Sequence, residues 1–442
     1  MLFDAALRPD PEHESRALDA LRRALGSVPF YAKQGLARAV ADDAPLDDVL
    51  ARLPLLTRER VRPTLPKMWF PEGRDAKAEL ASGAISVVDT GSADARVRVL
   101  FDAAWWRAQE RRALAIHPRA QAALAGELGA FRDAVLWVPE RGTGSCGAGD
   151  PGYEDRLEGA RLHLNSRQDP TFWTEPVMTR MLDELSTHET TALLADPFYL
   201  DVLARHAAVL GRRLDVRGFI ATTRARATRA HRDALARVYR GAVVDVLAAR
   251  EVGALFVGGG DDLMHHAPFS THVELLRAKV ATPGAEDVAL VVVTTLERDV
   301  QPLVRYVLGD LVQVARGEGA EPRRDGRFTT VPPIATAEGS VNDALVRPDG
   351  ALVTPGAIDR AIGAAGPRAY QVVQVDAGAV EAEIVGGSPA HVEQALAPLL
   401  SGMRVTVRSS TAIGAEPTGK YRTTRRRAPL ALSSVFDACE GV

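Results

Sequence analysis

Residues 303–310 read Leu-Val-Arg-Tyr-Val-Leu-Gly-Asp, and this stretch decides the interpretation of the chain. Upstream, residues 291–296 form a β-branched run that is typical of a buried strand. The sequence predicts a strand, a turn and an apolar segment that holds Asp310 at the end of a buried sheet. An ionised aspartate there can accept hydrogen bonds from both hydroxyls of a diol such as a ribose. An aspartate that caps an ordinary turn is the alternative for Gly-Asp alone.

The composition bounds the class of protein. The chain has 442 residues, of which 46% are hydrophobic and 25% are charged, and its net charge is −3. Two or three domains are therefore expected in an ordinary globular protein. Because the net charge is close to zero, there is no reason to expect nucleic acid or an anionic membrane as a partner.

Further features bear on where the protein acts. The longest apolar runs, such as residues 288–293, have the length of strands and are too short to span a membrane. Residues 1–4 lack the basic and apolar regions of a signal peptide. Cys146 and Cys439 lie far apart and indicate no disulfide framework. A cytoplasmic protein of enzyme size is expected.

The spacing of apolar residues predicts alternating helices and strands. Helices are predicted over residues 14–24, 36–52, 102–125, 174–211 and 227–239. Strands are predicted over residues 84–88, 97–101, 135–138, 216–223 and 243–248. Strands separated by helices indicate an α/β architecture.

A candidate phosphate-binding loop follows the first predicted strand. Its core is Thr90, Gly91 and Ser92. Hydroxyl groups beside a glycine can surround phosphate oxygens with side-chain and backbone donors. A plain hairpin turn is the alternative, and Asp94 would repel a phosphate unless a metal ion bridged the two.

Read in order, these segments resemble the adenylate-forming enzymes, and within them the phenylacetate–CoA ligase branch. The resemblance is carried by the Leu-Pro-x-x-Thr of residues 53–57, the Thr90 loop, Glu251, the segment 294–310 and the Gly-Lys that ends at Lys420. It implies a large α/β N-terminal domain of several subdomains, residues 1–338. It also implies a small mobile α+β C-terminal domain, residues 339–442.

The resemblance implies roles for the first part of the site. Thr90, Gly91 and Ser92 would hold the phosphates of ATP. Glu251 would organise Mg²⁺, directly or through water, as a hard oxygen ligand of a metal held mainly by phosphates.

It implies roles for three further residues as well. Asp310 would bind the ribose, and Arg305 would support that turn as part of the nucleotide site. Lys420 would reach the α-phosphate and the attacking carboxylate, where negative charge develops during adenylation.

The chain departs from the family at several positions. Leu247 stands in place of a tyrosine, and Ser340 and Asn342 stand in place of the arginine and the first aspartate of the hinge. Some relatives bind zinc with one histidine and three cysteines. Those cysteines are missing here, so His265 is predicted to lack the partners that a structural zinc site needs.

The activity implied by the resemblance is ATP- and Mg²⁺-dependent activation of a small carboxylic acid, followed by transfer of the acyl group to coenzyme A or another thiol. One alternative is an amide- or ester-forming synthetase on the same scaffold, with an amine acceptor. Another is a non-catalytic descendant that binds a nucleotide or a protein partner. The departures at Asp94, Leu247, Ser340 and Asn342 favour the last alternative.

Overall fold

The computed structural model describes residues 12–41, 44–90, 97–139, 151–166, 169–315, 331–416, 419–436 and 439. Gly91 and Ser92 of the predicted phosphate loop lie outside these ranges, as do Asp94 and Cys146.

The helices are α1 (His13–Ser27), α2 (Pro29–Ala32), α3 (Leu46–Ala51), α4 (Arg58–Val61), α5 (Ala76–Ala81), α6 (Ala103–Leu114), α7 (Pro118–Leu124), α8 (Glu175–Thr187), α9 (Pro197–Val209), α10 (Arg229–Val238), α11 (Pro355–Gly363) and α12 (Pro389–Leu396). Short 3-10 helices occupy Leu36–Val40, Arg62–Thr64, Glu154–Arg156, Pro170–Phe172 and Leu432–Ser434.

The first strands along the chain are β1 (Ile85–Thr90), β2 (Val97–Asp102), β3 (Asp133–Leu136), β4 (Leu157–Glu158), β5 (Arg161–His163), β6 (Ala192–Ala195), β7 (Phe219–Thr222), β8 (Ala242–Ala249), β9 (Gly253–Gly258) and β10 (Met264–His266). They are followed by β11 (Thr271–Arg277), β12 (Val288–Thr295), β13 (Tyr306–Val314), β14 (Ile334–Ser340), β15 (Leu345–Val346), β16 (Leu352–Val353), β17 (Ala369–Asp376), β18 (Ala379–Val385), β19 (Arg404–Ser409) and β20 (Thr424–Arg426).

One large mixed sheet forms the centre of the molecule. Its strand order is β11-β12-β13-β14-β10-β9-β8-β7-β6-β3-β5-β4. Strands β5, β3, β6, β7 and β8 pair in parallel, and the chain passes through α9 and α10 between β6, β7 and β8. From β8 to β11 the neighbouring strands pair antiparallel. The predicted α/β architecture is therefore confirmed.

The parallel part of the sheet is covered on both faces. Leu193 of β6 packs with Leu182 and Leu203 of α8 and α9. Its neighbour Leu194 points into a separate cluster with Ala113 and Ala120 of α6 and α7. Burial on both faces explains why this strand is an apolar run without polar alternation.

Three segments that were predicted as helical are divided in the structure. Residues 174–211 contain β6 between α8 and α9, and a doubly buried strand carries no period-two signal that separates it from a buried helix. Residues 102–125 form α6 and α7, which divide before Pro118 because proline disfavours helical backbone in the residue before it. Residues 36–52 begin as a 3-10 helix, and only their last part forms α3.

The C-terminal part begins inside the large sheet. Ser340 at the end of β14 still pairs with Asp310, so the proposed domain border at residue 338 falls within a strand. The chain then forms the hairpin of β15 and β16 and a four-stranded sheet in the order β19-β18-β17-β20.

A shared hydrophobic core joins this C-terminal part to the large sheet. Leu290 and Val307 of β12 and β13 lie in one buried cluster with Ile358 of α11 and with Phe436. The backbone N–H of Lys279 donates a hydrogen bond of 2.8 Å to the carbonyl of Val435. The C-terminal part is therefore packed against the antiparallel end of the large sheet. Among the described helices, none combines the length and the apolar composition that crossing a lipid bilayer requires.

Candidate active site

Charged side chains follow three adjacent parallel strands. Asp196 comes directly after β6, Arg224 comes two residues after β7, and Glu251 comes two residues after β8. The carboxyl ends of parallel strands open together at one edge of a sheet, and ligand sites of α/β proteins lie there. Asp196 also caps α9 by accepting the backbone N–H of Phe198 at 2.9 Å, with Pro197 in the first turn of that helix.

The side chain of Glu251 is almost fully buried beside residues of the N-terminal hairpin region. Thr90 Oγ1 donates a hydrogen bond of 3.2 Å to Glu251 Oε2. Arg58 Nη2, from the start of α4, lies 3.8 Å from Glu251 Oε1. The structure therefore brings together Thr90 and Glu251, which are 161 residues apart in the sequence.

A buried arginine stabilises the turn that carries Glu251. Arg298 donates hydrogen bonds to the backbone carbonyls of Glu251 and of Leu100 in β2. Burial lowers the pKa of Arg298 to about 10, although the nearby Glu251 raises it. Gly253 has φ +93, and a Cβ at this position would stand 2.7 Å from Gln109 Oε1. Another residue there would displace the turn.

Asp310 lies within β13, where the ladder with β12 is irregular. Gly309 before it has φ +91, a conformation that favours glycine, and the register shifts next to this position. Burial raises the pKa of Asp310 to about 7, while the positive charge of Arg58 lowers it and Glu251 raises it again. Lys420 lowers it as well. These groups therefore share one electrostatic environment.

The loop that carries Lys420 is docked on the start of α9. Tyr199 donates its hydroxyl to the carbonyl of Gly419 at 3.1 Å. The ring of Tyr421 stacks on Phe198, with centroids 5.1 Å apart and planes 7° apart. The next residue, Arg422, donates from Nε to Asp343 Oδ1 at 2.7 Å. Contacts on both sides of Lys420 therefore fix the position of its backbone.

Lys420 interacts electrostatically with the charged residues at the edge of the sheet. Burial lowers the pKa of Lys420, and the carboxylates of Glu251 and Asp196 oppose this effect. Arg224 and Arg250 act in the same direction as burial. Burial raises the pKa of Asp196 to about 6, although the N–H of Phe198 and the charges of Arg224 and Lys420 lower it.

Arg305 occupies a different environment from the other candidate residues. Its Nε and Nη2 each donate a hydrogen bond of 2.9 Å to the carboxylate of Glu274, and Nη1 donates to the carbonyl of Leu53. The guanidinium is buried and engaged in these bonds. Arg305 thus supports the turn before β13, the role expected from the sequence, and its assignment to the nucleotide site stays a prediction.

The departures from the family pattern have visible consequences. Leu247 is partly buried against the core beneath the site, where it contributes no hydroxyl. Ser340 Oγ lies 3.4 Å from the carbonyl of Gly309, and the N–H of Asn342 donates to Ser340 Oγ at 3.3 Å. The segment that corresponds to the family hinge therefore has short polar contacts at Ser340 in place of a long cationic side chain.

His265 is paired with an acid. Its Nε2 lies 2.9 Å from Asp261 Oδ2, and the imidazole is buried on β10. Across the described ranges, there is no group of three or more histidine, cysteine, aspartate or glutamate side chains that could hold a metal ion. The predicted absence of a zinc site is not tested by these observations and stays a prediction.

Sequence reasoning did not identify Arg58, Asp196, Arg224 or Arg298 as parts of the site. Arg58 directly follows the Leu-Pro-x-x-Thr segment, and Asp196 precedes a proline at a helix start, so both positions carried a signal. Arg298 could not be found in this way, because its role depends on backbone carbonyls from two distant turns.

Comparisons with known proteins place the fold. No protein-family profile matches the sequence, and no curated protein does. A solved structure of 2-hydroxyisobutyryl-CoA ligase in the postadenylation state, with 2-HIB-AMP, is similar with a TM-score of 0.67 and 16% identity, over 95% of this chain and 90% of that chain. The same ligase in the thioesterification state, with 2-HIB-AMP and CoA, gives a TM-score of 0.52 at 16% identity, over 96% and 91% of the two chains.

A further similar structure is the amide bond synthetase McbA from Marinactinospora thermotolerans. The TM-score is 0.50 and the identity 15%, over 94% of this chain and 82% of that chain. The chain has the fold of the adenylate-forming enzymes, including their C-terminal domain. The resemblance seen in the sequence is thus confirmed for the fold, while the phenylacetate–CoA ligase branch stays a prediction.

Proposed function

We propose that this protein activates a small carboxylic acid with ATP and transfers the acyl group to coenzyme A or another thiol. The observation that carries the proposal is that Tyr199 and Phe198 hold the residues on either side of Lys420 at the start of α9, directly after the carboxyl end of β6, where Lys420 interacts electrostatically with Asp196, Glu251 and Asp310. Burial of a cationic side chain is costly unless it interacts with negative charge, so this environment supports a role for Lys420 in the site.

The arrangement of the C-terminal part supports the same proposal. The similarity to 2-hydroxyisobutyryl-CoA ligase is higher for the postadenylation state, with a TM-score of 0.67, than for the thioesterification state, with 0.52. The conformation described for this chain therefore resembles the postadenylation state of that ligase more than its thioesterification state. In this chain the Lys420 loop rests on Phe198 and Tyr199.

In the proposed reaction, a carboxylate oxygen of the acid attacks the α-phosphorus of ATP. A bond forms between that oxygen and phosphorus, and the bond from the α-phosphorus to the bridging oxygen breaks, so acyl-AMP and pyrophosphate result. Lys420 would stabilise the negative charge on the α-phosphate and the incoming carboxylate. Asp310 would accept hydrogen bonds from the ribose, and Thr90, with Gly91 and Ser92 in the adjoining loop, would hold phosphates.

The residues present fit a magnesium ion carried by the nucleotide. Glu251 offers a carboxylate and Thr90 a hydroxyl within 3.2 Å of it, and Mg²⁺ prefers such oxygen ligands while keeping several waters and phosphate oxygens. When bound, the ion would neutralise phosphate charge. Glu251 would orient it directly or through water, and Arg298 would keep the Glu251 turn in place.

An amine in place of the thiol is the second candidate. Two observations favour it: the similarity to an amide bond synthetase, and the hydrophobic core that joins the C-terminal part to β12 and β13. A rotation of that part toward a thioester-forming state would have to separate buried residues such as Leu290 and Phe436. Transfer to a small amine would require no such movement if the amine reached the acyl-adenylate in the conformation described.

The test is pyrophosphate exchange with a panel of aryl and alkyl carboxylic acids. We expect labelled pyrophosphate to enter ATP only when an accepted acid and Mg²⁺ are both present, because exchange reports the reversal of acyl-AMP formation whatever the final acceptor. Chelation of the metal should abolish exchange, and added Mg²⁺ should restore it.

The outcomes separate the candidates. Exchange with an acid, followed by product formation with coenzyme A, supports the thiol ligase. Exchange followed by product formation only with amines supports the synthetase. An absence of exchange with every acid, in protein that binds ATP, would contradict both and favour a nucleotide-binding descendant.

A further inference from the structure

We propose that Arg58 is a binding residue for a phosphate group of the nucleotide, near the two carboxylates, Asp310 and Glu251, that are proposed to bind the ribose and the metal. This inference rests on the proposed function and adds a residue that the sequence comparison did not assign. Arg58 begins α4, immediately after the Leu-Pro-x-x-Thr segment.

The guanidinium of Arg58 is fixed by contacts along one edge. Its Nη2 donates a hydrogen bond of 2.6 Å to the carbonyl of Leu308, and its Nε donates one of 3.3 Å to the hydroxyl of Tyr306. Both partners belong to β13, the strand that carries Asp310. The cation is therefore attached to the same strand as the proposed ribose-binding carboxylate.

The other edge of the guanidinium has remaining capacity. A guanidinium has five N–H donors in a rigid plane. Among the described residues, Nη1 of Arg58 makes no hydrogen bond, and the contact of Nη2 with Glu251 is 3.8 Å long. The side chain is 16% exposed, whereas that of Glu251 is 2% exposed. Arg58 thus combines a fixed position with donors that a ligand can use.

The position of Arg58 matches the order of groups along a nucleotide. Asp310 and Glu251 both lie within the electrostatic reach of Arg58. In ATP, the α-phosphate lies between the ribose and the β- and γ-phosphates that carry the metal. A ligand that places its ribose at Asp310 and its metal at Glu251 therefore passes its α-phosphate beside Arg58. Lys420, on the C-terminal part, would supply a second cation to the same region.

This arrangement also bears on the hinge. Ser340, which replaces the family arginine, pairs with Asp310, and Arg58 Nη2 would be 3.8 Å from a Cβ at Gly309. Arg58 therefore brings a cation to the strand positions next to the substituted residue. The alternative is that Arg58 only neutralises Glu251 through an ion pair. The two roles of Arg58 predict different effects of its replacement on the binding of ligands without a phosphate, such as adenosine.

The experiment compares the binding of adenosine, AMP and ATP to the parent protein and to Arg58→Met and Arg58→Lys variants by calorimetry. We expect Arg58→Met to weaken AMP and ATP about tenfold or more, because a charge-assisted hydrogen bond to phosphate is lost. Adenosine should bind within about twofold of the parent, and Arg58→Lys should keep part of the AMP affinity because the charge remains. Arg60→Met, an exposed arginine of the same helix, is the matched control and should bind all three ligands like the parent.

Two results would overturn the inference while leaving the proposed function intact. One is an equal loss of affinity for adenosine and for AMP in Arg58→Met, which would mean that Arg58 only shapes the site. The other is an AMP affinity that falls to the same extent in Arg58→Lys and Arg58→Met, or that does not fall at all. A parent protein that binds none of the three ligands would instead refute the proposed function.

Discussion

Replacement of Lys420 by alanine is expected to slow the formation of acyl-AMP from ATP and acid at least about a hundredfold. The ammonium group would face the α-phosphate and the attacking carboxylate, where charge accumulates in the transition state. Loss of one well-placed cation from such a site costs about 3 kcal/mol of barrier, which corresponds to this factor. The rate of acyl transfer from synthetic acyl-AMP should change little, because that step no longer involves attack on phosphorus.

The two half-reactions are measured separately, by pyrophosphate exchange and by consumption of synthetic acyl-AMP in single-turnover mixtures. Lys77→Ala, which removes an exposed lysine on α5, is the matched control and should behave as the parent. A Lys420→Ala protein that forms acyl-AMP at the parental rate would show that the C-terminal resemblance is structural only. Equal losses in both steps would point to a damaged fold.

Replacement of Asp310 by alanine is expected to weaken ATP binding strongly. An ionised aspartate that accepts two ribose hydroxyls contributes charge-assisted hydrogen bonds of about 1.5–3 kcal/mol each, so the dissociation constant should rise about a hundredfold or more. Calorimetry with ATP measures this change. Asp19→Ala, an exposed aspartate of α1 whose ion pair with Arg22 lies at the surface, serves as the control. Unchanged ATP affinity in a folded Asp310→Ala protein would remove Asp310 from the site.

The raised pKa of Asp310 gives this interaction a pH dependence. With a pKa of about 7, the carboxyl group is mostly protonated below pH 6 and can then accept fewer hydrogen bonds. ATP affinity should therefore fall as the pH decreases through 7. In Asp310→Asn this component should vanish, and the residual pH dependence reports protonation of the phosphates themselves. An identical pH profile in the parent and the asparagine variant would contradict the assignment.

The same shift has a consequence for stability. The folded-state pKa of about 7 lies above the ordinary value of 3.8, so the folded protein favours the neutral carboxyl group. The stabilisation that comes from this preference for the neutral form is fully present below about pH 4 and is lost as the pH rises through 7. Asp310→Asn should thus be no less stable than the parent at pH 8, which makes it a sound control for the binding measurements.

The candidate site residues that the sequence proposed are those whose local chemistry stands out. Asp310 follows a glycine whose φ of +91 few other residues adopt, and Glu251 follows a strand of the predicted sheet. Lys420 stands out in a chain whose 54 basic residues include only five lysines. Each of these positions carries a short-range signal in residue type and in its flanking elements.

Other features depend on tertiary contacts and left no such signal. The β6 strand lay within a segment predicted as helices, because helices cover both of its faces and no polar alternation results. The engagement of Arg305 with Glu274, and that of Arg298 with the Glu251 turn, join residues whose proximity only the folded sheet creates. The extent of the core shared by β12, β13 and the C-terminal part was equally hidden, because its residues come from several separated segments.

The measurement that tests the central claim most directly follows oxygen atoms through the reaction. An acid that supports pyrophosphate exchange is labelled with ¹⁸O in its carboxylate and incubated with ATP, Mg²⁺ and the acceptor, and the products are analysed by mass spectrometry. Attack of the carboxylate on the α-phosphorus predicts one ¹⁸O atom in the phosphate of AMP, with unlabelled pyrophosphate. Label in inorganic phosphate together with ADP, or AMP that carries no ¹⁸O, would contradict the account.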